Sequence, residues 1–423
     1  MRILFVSQYF PPEMGAPAAR VYELSRHWVE QGHEVTVLTG FPNHPTGTLH
    51  SEYRSKWKRL VYKEHLSGIQ VVRVWLLPLP NRKGYERILN YSSYCFSSSV
   101  AGTFLARPEV VVATSPQLLV GISGWWLAKV NRVPFIFDVR DLWPESLTAV
   151  GVAEKNAALY KLLAHTAKFL YRHCDRLVVV TQAFRDHLAG NWGIPLKKIS
   201  VVENGVETEI FSPHGSDGIR REFGLGEKFI VSYIGTLGMA HGLDTMLETA
   251  RRFQKERPEI AFLLVGEGAE KEKLRALATK GGLKNLTFLG EQRRELIPAV
   301  IRGSDVCLVL LKKSDIFRTV IPTKMLEFMS CGRPVIVAVD GQAREILENA
   351  QAGLYVEPEN ANALASAILT LHSDPCLCRS FGDNGRRWIT QYMSRRQTAE
   401  KYLEVLKSVT EGPFTRRHAL VSQ

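Results

Sequence analysis

The chain alternates short runs of consecutive apolar residues with longer segments in which apolar residues recur every three or four positions. The short runs predict buried strands, and the longer periodic segments predict helices. The strands predicted in the first half are Ile3–Ser7, Glu34–Thr39, Ile69–Val74, Val110–Ala113, Phe135–Asp138, Leu177–Val180 and Ser200–Glu203. Those predicted in the second half are Phe229–Gly235, Ala261–Val265, Leu286–Leu289, Val306–Leu310 and Val335–Val339. Because most of the strands lack polar alternation and helices separate them, the pattern indicates parallel sheets covered on both faces.

The alternation pauses after Asn204, where turn residues and a polar stretch interrupt it, and then restarts. A length of 423 residues exceeds what one hydrophobic core supports. We therefore predict an α/β protein with two doubly wound domains, residues 1–204 and 205–390, followed by a terminal segment, 391–423, with a frayed tail. Ligands of such sheets bind at the carboxyl ends of the strands, so the expected site lies in a cleft that both domains face.

The net charge of +12 is concentrated in the first half of the chain. Residues 1–200 contain 24 Lys and Arg against 14 Asp and Glu, whereas the remainder contains 30 against 28. A basic first half implies a polyanionic partner, which can be nucleic acid, anionic lipid headgroups or a phosphate-bearing substrate. The charge alone does not choose among them.

The cysteines show neither a CxxC pair nor the spacing of a zinc site. They are Cys95, Cys174, Cys307, Cys331, Cys376 and Cys378. We expect reduced thiols, which favours the cytosol. Met1 leads directly into a predicted strand, and no apolar run is long enough to span a bilayer. We therefore expect neither a signal peptide nor a transmembrane helix.

The segment from Ile321 to Val337 carries the strongest functional pattern. It predicts a short helix over Thr323–Ser330 that Pro322 opens, followed by a buried strand. Lys324 and Glu327 are three residues apart and share one face of that helix. A helix N-terminus beside a lysine suits phosphate, and a carboxylate one turn later suits a ribose diol. The pattern therefore indicates a nucleotide-diphosphate-sugar site, although an ordinary amphipathic helix would look the same.

Two loops that follow predicted first strands are suited to ligand binding. Gly235–Gly242 contains three glycines before a helix, and such backbone can surround phosphate groups. In the loop Pro11–Arg20 the prolines stiffen the chain, while Gly15 and Ala16 let a ligand approach the next helix, although a plain strand–helix connection is the alternative. Gly266–Gly268 starts like a dinucleotide fingerprint, but Lys271 replaces its third glycine, so a nicotinamide cofactor is not expected.

Charged and polar residues also follow two other strands. Asp138–Glu145 packs three carboxylates and one arginine among apolar residues. One interpretation is a structural ion pair of Asp138 or Asp141 with Arg140. The other places Asp141 or Glu145 where an acceptor hydroxyl is activated. His44 lies in a proline-stiffened loop that either lines an acceptor site or is plain surface.

Taken together, these motifs resemble the retaining glycosyltransferases of family four, and among them the branch that contains O-antigen fucosamine transferases. The resemblance extends over residues 1–410. The segments that carry it are the loop around Gly15, Gln31–Leu38, Phe41–Asn43, Asp138–Glu145, Asn204–Val206, Val265–Gly268 and the Lys324/Glu327 helix. It implies the GT-B fold, in which two Rossmann-like domains face each other across a cleft, with the terminal helix crossing back to the first domain.

The resemblance also implies roles for individual residues. Glu327 matches the glutamate that binds the nucleotide ribose, and Gly15 and Ala16 match the loop that meets the donor phosphates and the acceptor. The chain departs from the wider family at several positions. At one of them Thr319 replaces a second glutamate, which in the wider family contacts the donor sugar. This change argues against a glucose- or mannose-type donor.

Two further departures concern charge. Thr236 and His241 replace the Arg and Lys of the glycine loop, and Arg140 replaces a His. Lys324, with backbone amides, must therefore supply the countercharge of the diphosphate.

Three groups of candidate site residues follow. The catalytic candidates are Lys324, Asp141 and Arg140. The donor-binding candidates are Gly15, Ala16, Gly235, Thr236, Gly238, His241, Thr319, Thr323, Lys324 and Glu327. The acceptor-side candidates are Glu13, Asn43, His44 and Glu145. No Asp-x-Asp stands in a suitable loop, so we expect no metal and no cofactor, with the nucleotide-diphosphate sugar as substrate.

By the same resemblance, the acceptor hydroxyl attacks on the face of the leaving group, and the diphosphate itself takes the proton. The protein then contributes positioning and electrostatic stabilisation. Two alternatives remain open. A nucleotide-sugar 2-epimerase uses the same architecture, and a nonenzymatic polyanion-binding protein would explain the basic half but not the placement of Glu327.

One local pattern suggests a membrane partner. Lys56–Lys63 mixes basic and aromatic residues, which suits an anionic headgroup surface. Tyr85–Phe104 could form a helix with one apolar side, although its serines weaken the pattern. We expect peripheral attachment to the inner face of the cell membrane, a lipid-linked saccharide acceptor and no nucleic acid. Nucleic-acid binding or solubilising charge are the alternative explanations of the basic half.

Overall fold

The computed structural model describes residues 1–13, 15–44, 46–80, 84–146, 158–215 and 219–411. Its contacts divide the chain into two compact units. The N-terminal unit comprises residues 1–203 with the chain from residue 396 onward, and the C-terminal unit comprises residues 204–395. The predicted frayed tail lies, apart from residue 411, outside the described residues.

The N-terminal unit contains an eight-stranded sheet in the order β3-β4-β2-β1-β5-β6-β7-β8. Only β3 runs antiparallel to its neighbour among these strands. The strands are β1 Arg2–Val6, β2 Glu34–Gly40, β3 Val61–Leu66, β4 Ile69–Val74, β5 Val110–Thr114, β6 Phe135–Val139, β7 Arg176–Val179 and β8 Ile199–Val201. The described helices of this unit before residue 204 are α1 Ala16–Glu30, α2 Arg54–Trp57, α3 Gly84–Thr103, α4 Leu119–Asn131, α5 Ala158–His173 and α6 Gln182–Trp192.

The C-terminal unit contains a fully parallel six-stranded sheet in the order β11-β10-β9-β12-β13-β14. Its strands are β9 Phe229–Ile234, β10 Ile260–Val265, β11 Leu286–Gly290, β12 Val306–Leu310, β13 Val335–Ala338 and β14 Gly353–Tyr355. Its described helices are α7 Ile219–Glu222, α8 Asp244–Glu256, α9 Lys271–Lys280, α10 Ile297–Arg302, α11 Thr323–Ser330, α12 Gln342–Ala350, α13 Ala361–Ser373 and α14 Pro375–Tyr392.

The prediction of two doubly wound parallel sheets is confirmed. Every residue of β5, β6, β10 and β12 is buried, which is why these strands show no alternation of polar and apolar positions. The sequence pattern missed β3 and β14. β3 is an edge strand with mostly exposed side chains, and β14 has only three residues, so neither presents a continuous apolar run.

The terminal helix α15, Arg395–Thr410, packs on the N-terminal unit. The indole N–H of Trp28 donates to the carbonyl oxygen of Ala399 at 3.1 Å, and the Trp28 and Tyr402 rings meet edge to face. Among the described residues, no helix combines the length and the hydropathy needed to cross a membrane.

The strand order determines which loops meet. The carboxyl ends of β1 and β2 lie side by side in register, with Val6 opposite Leu38. The loops that follow these two strands are therefore neighbours. In the C-terminal unit the central strand β9 pairs with β10 and β12, so the glycine loop after β9 lies between the loops that follow those strands.

Candidate active site

The glycine loop after β9 approaches Lys324 closely. Gly235 has φ +141°, a conformation that side-chain-bearing residues rarely adopt. A Cβ atom on Gly235 would lie 2.8 Å from Lys324 Nζ. The absence of a side chain at this position therefore leaves room for the ammonium group beside the loop.

The Gly266–Gly268 pattern has a structural explanation. A Cβ on Gly266 would lie 2.0 Å from the carbonyl oxygen of Gly235, and one on Gly268 would lie 2.3 Å from that of Leu237. The backbone N–H of Leu237 donates to the carbonyl oxygen of Glu267 at 2.8 Å. The two loops thus pack backbone against backbone, and these glycines support the shape of the glycine loop.

Lys324 is a half-buried cation with neutral partners. Its Nζ donates to the hydroxyl oxygen of Tyr233 at 2.7 Å and lies 4.0 Å from the centre of that ring. The Tyr233 hydroxyl in turn donates to the carbonyl oxygen of Thr236 at 2.8 Å. Burial lowers the pKa of Lys324 to about 7, although the nearby Glu327 acts in the opposite direction. An anion bound here would stabilise the charged form.

His241 lies beside this lysine and is neutral. Burial, together with the charge of Lys324, lowers the pKa of His241 to about 3. Its Nδ1 lies 3.3 Å from the carbonyl oxygen of Leu310, and a Cβ on Gly238 would lie 3.6 Å from its ring. His241 therefore cannot replace the missing basic pair of the glycine loop as a source of charge.

Glu327 is a buried carboxylate with a charged partner. The residue is only 7% exposed, and its Oε1 forms an ion pair with Arg294 Nη2 at 2.7 Å. Arg294 begins the short 3-10 turn Arg294–Leu296 after β11 and lies over the Phe211 ring at 4.6 Å. A carboxylate at this depth needs a charged partner, and Arg294 supplies it from a distant part of the sequence.

The threonine candidates lie in the glycine loop, in the turn before α11 and at the start of α11. The Thr319 hydroxyl donates to the carbonyl oxygen of Ile316 at 2.6 Å at the end of the 3-10 turn Asp315–Thr319. Thr323 is the first residue of α11, after Pro322. The exposed Thr236 contributes its carbonyl group to the Tyr233 contact. The structure thus brings Gly235, Thr236, Gly238, His241 and Lys324 together at one end of the C-terminal sheet.

Three acceptor-side candidates converge in the N-terminal unit. Glu13 Oε1 accepts the backbone N–H groups of Asn43 and His44, both at 2.9 Å, and Oε2 accepts that of Phe10 at 3.4 Å. Burial raises the pKa of Glu13 to about 7 in spite of these N–H donors. This buried carboxylate therefore ties the loop after β1 to the loop after β2. Gly15 and the following Ala16 are exposed where α1 begins.

A buried amide network that sequence reasoning missed supports these loops. Asn90 Nδ2 donates to Asn43 Oδ1 at 3.2 Å, and Gln8 Nε2 donates to Asn90 Oδ1 at 2.6 Å. Gln117 Nε2 donates to Gln8 Oε1 at 2.7 Å. Asn43 was a predicted candidate, but its amide partners lie on separate elements, so no local motif could have revealed them. Tyr233 and Arg294 were missed in the C-terminal unit for the same reason.

The structure gives Asp138 a partner that the sequence did not predict. Asp138 pairs with Arg20 of α1 at 3.4 Å and accepts from the Thr114 hydroxyl at 2.7 Å. Both side chains of this ion pair are buried, because the Asp138 side chain faces α1. Burial raises the pKa of Asp141, while the charge of Arg140 lowers it.

Glu145 contacts helix α6. Its Oε1 accepts from Trp192 Nε1 at 2.9 Å and lies 3.2 Å from His187 Nε2. Burial alone would raise the pKa of Glu145, but the hydrogen bonds from His187 and Trp192 outweigh it and lower the pKa. These contacts attach Glu145 to α6 and do not involve the Glu13 group.

Within the part of the chain that the structure describes, no three His, Cys, Asp or Glu side chains are grouped so that they could hold a metal ion. All six cysteines are free, as predicted. Metal independence itself remains a prediction.

Two family models match the two halves of the chain. Residues 15–205 match the glycosyl transferase 4-like domain, and residues 216–388 match glycosyl transferases group 1. A putative colanic acid biosynthesis glycosyl transferase of Escherichia coli, WcaI, is 24% identical over 381 residues, which is 87% of this chain and 91% of that protein. A probable glycosyltransferase of Pseudomonas aeruginosa, WbjE, is 23% identical over 66% of this chain and 69% of its own length.

Solved structures share the fold. HepE from Anabaena, in complex with UDP and glucose, has a TM-score of 0.73 and 18% identity, and the match covers 96% of this chain and 100% of that one. Sucrose-phosphate synthase from Thermosynechococcus elongatus has a TM-score of 0.76 and 20% identity over 96% of this chain and 98% of its own. The chain is therefore a glycosyltransferase of the GT-B fold, in which a glycosyl transferase 4-like domain precedes a glycosyl transferases group 1 domain.

Proposed function

We propose that this enzyme is a retaining glycosyltransferase that transfers a sugar from a nucleotide-diphosphate donor to a lipid-linked or glycan acceptor in surface-polysaccharide synthesis. We further propose an N-acetylated deoxyhexosamine such as fucosamine as the sugar. The observation that carries the proposal is Lys324, a cation with neutral hydrogen-bond partners beside the glycine loop and at the start of α11.

The electrostatics of the C-terminal unit favour a diphosphate. Burial already destabilises the charged form of Lys324, and the neutral His241 adds no positive charge. A diphosphate beside Nζ would compensate the desolvation of the ammonium group, and the backbone N–H groups at the start of α11 would add dipolar stabilisation. Glu327, oriented by Arg294, would then accept hydrogen bonds from the ribose.

The comparisons support a nucleotide-sugar donor and a role in polysaccharide synthesis. The HepE complex contains UDP and glucose, and the name of WcaI refers to colanic acid biosynthesis. Thr319 stands where the wider family carries a second glutamate, which supports a sugar other than glucose or mannose.

The proposed chemistry rests on positioning and charge. Negative charge on the diphosphate grows as the bond to the sugar breaks, so Lys324 stabilises the transition state more than the ground state. The acceptor hydroxyl attacks on the face that the diphosphate leaves, and the diphosphate takes its proton. Glu13, Asn43 and His44 form the proposed acceptor side. The basic N-terminal half suits an enzyme that is peripheral to the inner face of the cell membrane.

Two measurements test the function. Thermal-shift screening against UDP-, GDP-, ADP- and dTDP-sugars should identify one nucleotide that stabilises the protein by mass action. Mass spectrometry of the products with and without a lipid-linked acceptor should then show sugar transfer only when the acceptor is present. A free epimerised nucleotide sugar without acceptor would instead indicate the epimerase, and stabilisation by none of the nucleotides would contradict the proposal.

A further inference from the structure

Helix α3 buries mainly small and polar residues and exposes large apolar ones. Its buried positions recur every four residues and are Asn90, Tyr94, Ser98 and Gly102. Outward positions carry Phe96, which is 73% exposed, and Val100, and Phe104 directly after the helix is 83% exposed. A water-facing helix normally has the opposite arrangement.

The serines of α3 explain why its sequence looked only weakly amphipathic. The Ser98 and Ser99 hydroxyls lie 2.6 Å and 2.9 Å from that of Ser123 on α4. The Ser97 hydroxyl donates to the carbonyl oxygen of Trp75. These serine hydroxyls are thus satisfied inside the unit, and the large side chains on the outward side of the helix are mainly apolar.

A groove of about 640 Å³ runs between the outward sides of α3 and α4. Its apolar lining includes Phe96, Val100, Phe104, Leu119 and Trp126, and cysteine, serine and threonine side chains complete it. Tyr85, Ile88 and Leu89 extend the exposed apolar surface toward the start of α3. Contiguous exposed apolar surface of this kind typically marks an interaction site.

Basic residues flank this surface at both ends. At one end the Trp75 backbone N–H donates to the Leu60 carbonyl oxygen at 2.7 Å. The Trp75 carbonyl oxygen in turn accepts from the Ser97 hydroxyl of α3, so the Lys56–Lys63 segment lies next to α3. In the part of the chain that the structure describes, no salt bridge involves Lys58, Arg59 or Lys63, and all three are exposed.

At the other end lie the exposed residues Lys129 and Arg132, close to the end of α4. Arg107 joins them, because its Nε donates to the Asn131 carbonyl oxygen at 3.2 Å. An apolar strip between two basic ends matches the layers of an anionic leaflet, in which hydrocarbon lies below a negatively charged headgroup region.

We infer that the outward face of α3 and α4 docks on an anionic bilayer, with the apolar groove in contact with lipid hydrocarbon. A second copy of the chain fits less well, because a symmetric contact would bring the basic ends of two molecules together. The purpose of the docking rests on the proposed function. Asn90, on the inward side of α3, contacts Asn43 in the acceptor-side loop, so one helix connects the lipid face to the proposed acceptor site.

The test is sedimentation of the full chain with vesicles of phosphatidylcholine containing phosphatidylglycerol, over a salt series. Wild type should bind, and part of the binding should persist at high salt because the apolar contact is not screened. The variant F96S/F104S should lose at least about tenfold in vesicle partition, a lower bound, since two fully buried aromatic side chains would account for about a hundredfold or more. A matched control is L196S/I210S, because these side chains are 50% and 52% exposed and lie outside α3 and α4.

Melting temperature, the thermal shift with the best-binding nucleotide, and mass by light scattering complete the test. F96S/F104S should keep the melting temperature and nucleotide shift of wild type, which would show that the fold and the C-terminal unit are intact. Vesicle partition of F96S/F104S equal to wild type, or equal losses in both variants, would overturn the inference. A wild-type dimer that dissociates in F96S/F104S, with no vesicle binding, would assign the face to a second copy. Failure of nucleotide binding in wild type would refute the proposed function without touching the vesicle result.

Discussion

Each unit of the molecule holds, near its candidate site, an ionisable group whose pKa burial shifts strongly, and the two groups differ in how they are satisfied. Burial shifts both toward the neutral form, with the pKa of Lys324 lowered to about 7 and that of Glu13 raised to about 7. The Lys324 ammonium donates to one neutral hydroxyl, that of Tyr233. The Glu13 carboxylate already accepts three backbone N–H groups.

The difference indicates two kinds of site. A cation with neutral partners gains most when an anion arrives, so the C-terminal unit is arranged to receive charge from its ligand. A carboxylate surrounded by N–H donors instead stabilises the loops that provide them. We therefore expect changes at the C-terminal site to act on donor binding and turnover, and changes at Glu13 to act mainly on loop structure and stability.

The largest expected effect is that of Glu327→Ala. The substitution removes the proposed ribose acceptor and leaves Arg294 without its carboxylate. Loss of a charge-assisted pair of hydrogen bonds costs roughly 2–4 kcal/mol, or about 30- to 1000-fold in donor affinity. Calorimetric titration with the nucleotide identified by screening measures this loss. Glu345→Ala on α12 serves as the matched control. Donor affinity of Glu327→Ala within threefold of wild type would remove Glu327 from the donor site.

The second prediction concerns Lys324→Met and pH. Above about pH 7 Lys324 of the free protein is mostly neutral, and it must take up a proton before its ammonium group can bind the donor. Wild-type donor affinity should therefore fall as pH rises above about 7, by up to about tenfold per pH unit. Without the lysine this dependence should vanish, and kcat should fall by about 10- to 100-fold because leaving-group charge loses its partner.

Binding titrations and steady-state kinetics of wild type and Lys324→Met between pH 6 and 9 measure the two effects, with Lys280→Met as a control at an exposed lysine. An unchanged kcat with a raised KM would make Lys324 a ground-state contact only. An identical pH dependence in both proteins would assign the proton to another group.

A smaller effect is expected from Gly235→Ala, which tests whether the position of the ammonium group matters. The added methyl group would lie 2.8 Å from Lys324 Nζ at a φ of +141°, so it should displace the ammonium group and strain the backbone by about 1–3 kcal/mol. We expect about a tenfold loss of donor affinity. Gly226→Ala, where φ is +55° and no atom lies within 4 Å of the new Cβ, controls for backbone strain. Destabilisation with full donor affinity would show that the loop tolerates a displaced lysine.

The two units also differ in how far the sequence predicted them. Lys324 and Glu327 lie on one short helix, and the glycine loop follows one strand, so local spacing was enough to group them. Their partners Tyr233 and Arg294 come from other elements, and tertiary contacts alone bring them near. The partners of Glu13 were also unpredictable from local spacing, because its carboxylate accepts the backbone N–H of Asn43 in another loop.

The strand pattern predicted both sheets because buried parallel strands are apolar throughout. It did not predict β3, where the edge position leaves most side chains in water. It also indicated only a weakly amphipathic helix at α3. Ser98 faces Ser123 of α4, and a hydrophobicity pattern cannot show that a neighbouring helix satisfies a hydroxyl group inside the protein.

The smallest effect on donor turnover is expected from Glu13→Gln, whose main consequence should be a change in how stability depends on pH. The pKa of Glu13 is about 7 in the folded protein, against a model-peptide value of 4.5. Between these values the folded state binds more protons than the unfolded state. The contribution of Glu13 is thus fully present below pH 4.5 and is lost as pH rises through 7.

Glutamine does not titrate, so the free energy of unfolding of Glu13→Gln relative to wild type should increase from pH 5 to pH 8, by an amount on the order of 2–3 kcal/mol. Urea denaturation at the two pH values measures this difference, and any constant cost of the amide group cancels. Glu52→Gln, an exposed glutamate of the same unit, should show no such change. Nucleotide affinity should change little, since Glu13 accepts backbone N–H groups on the proposed acceptor side and glutamine keeps an acceptor oxygen there. If the relative stability is the same at both pH values, the Glu13 carboxylate must be solvated, or stabilised by more than its three N–H donors. The contrast with Lys324 would then fail.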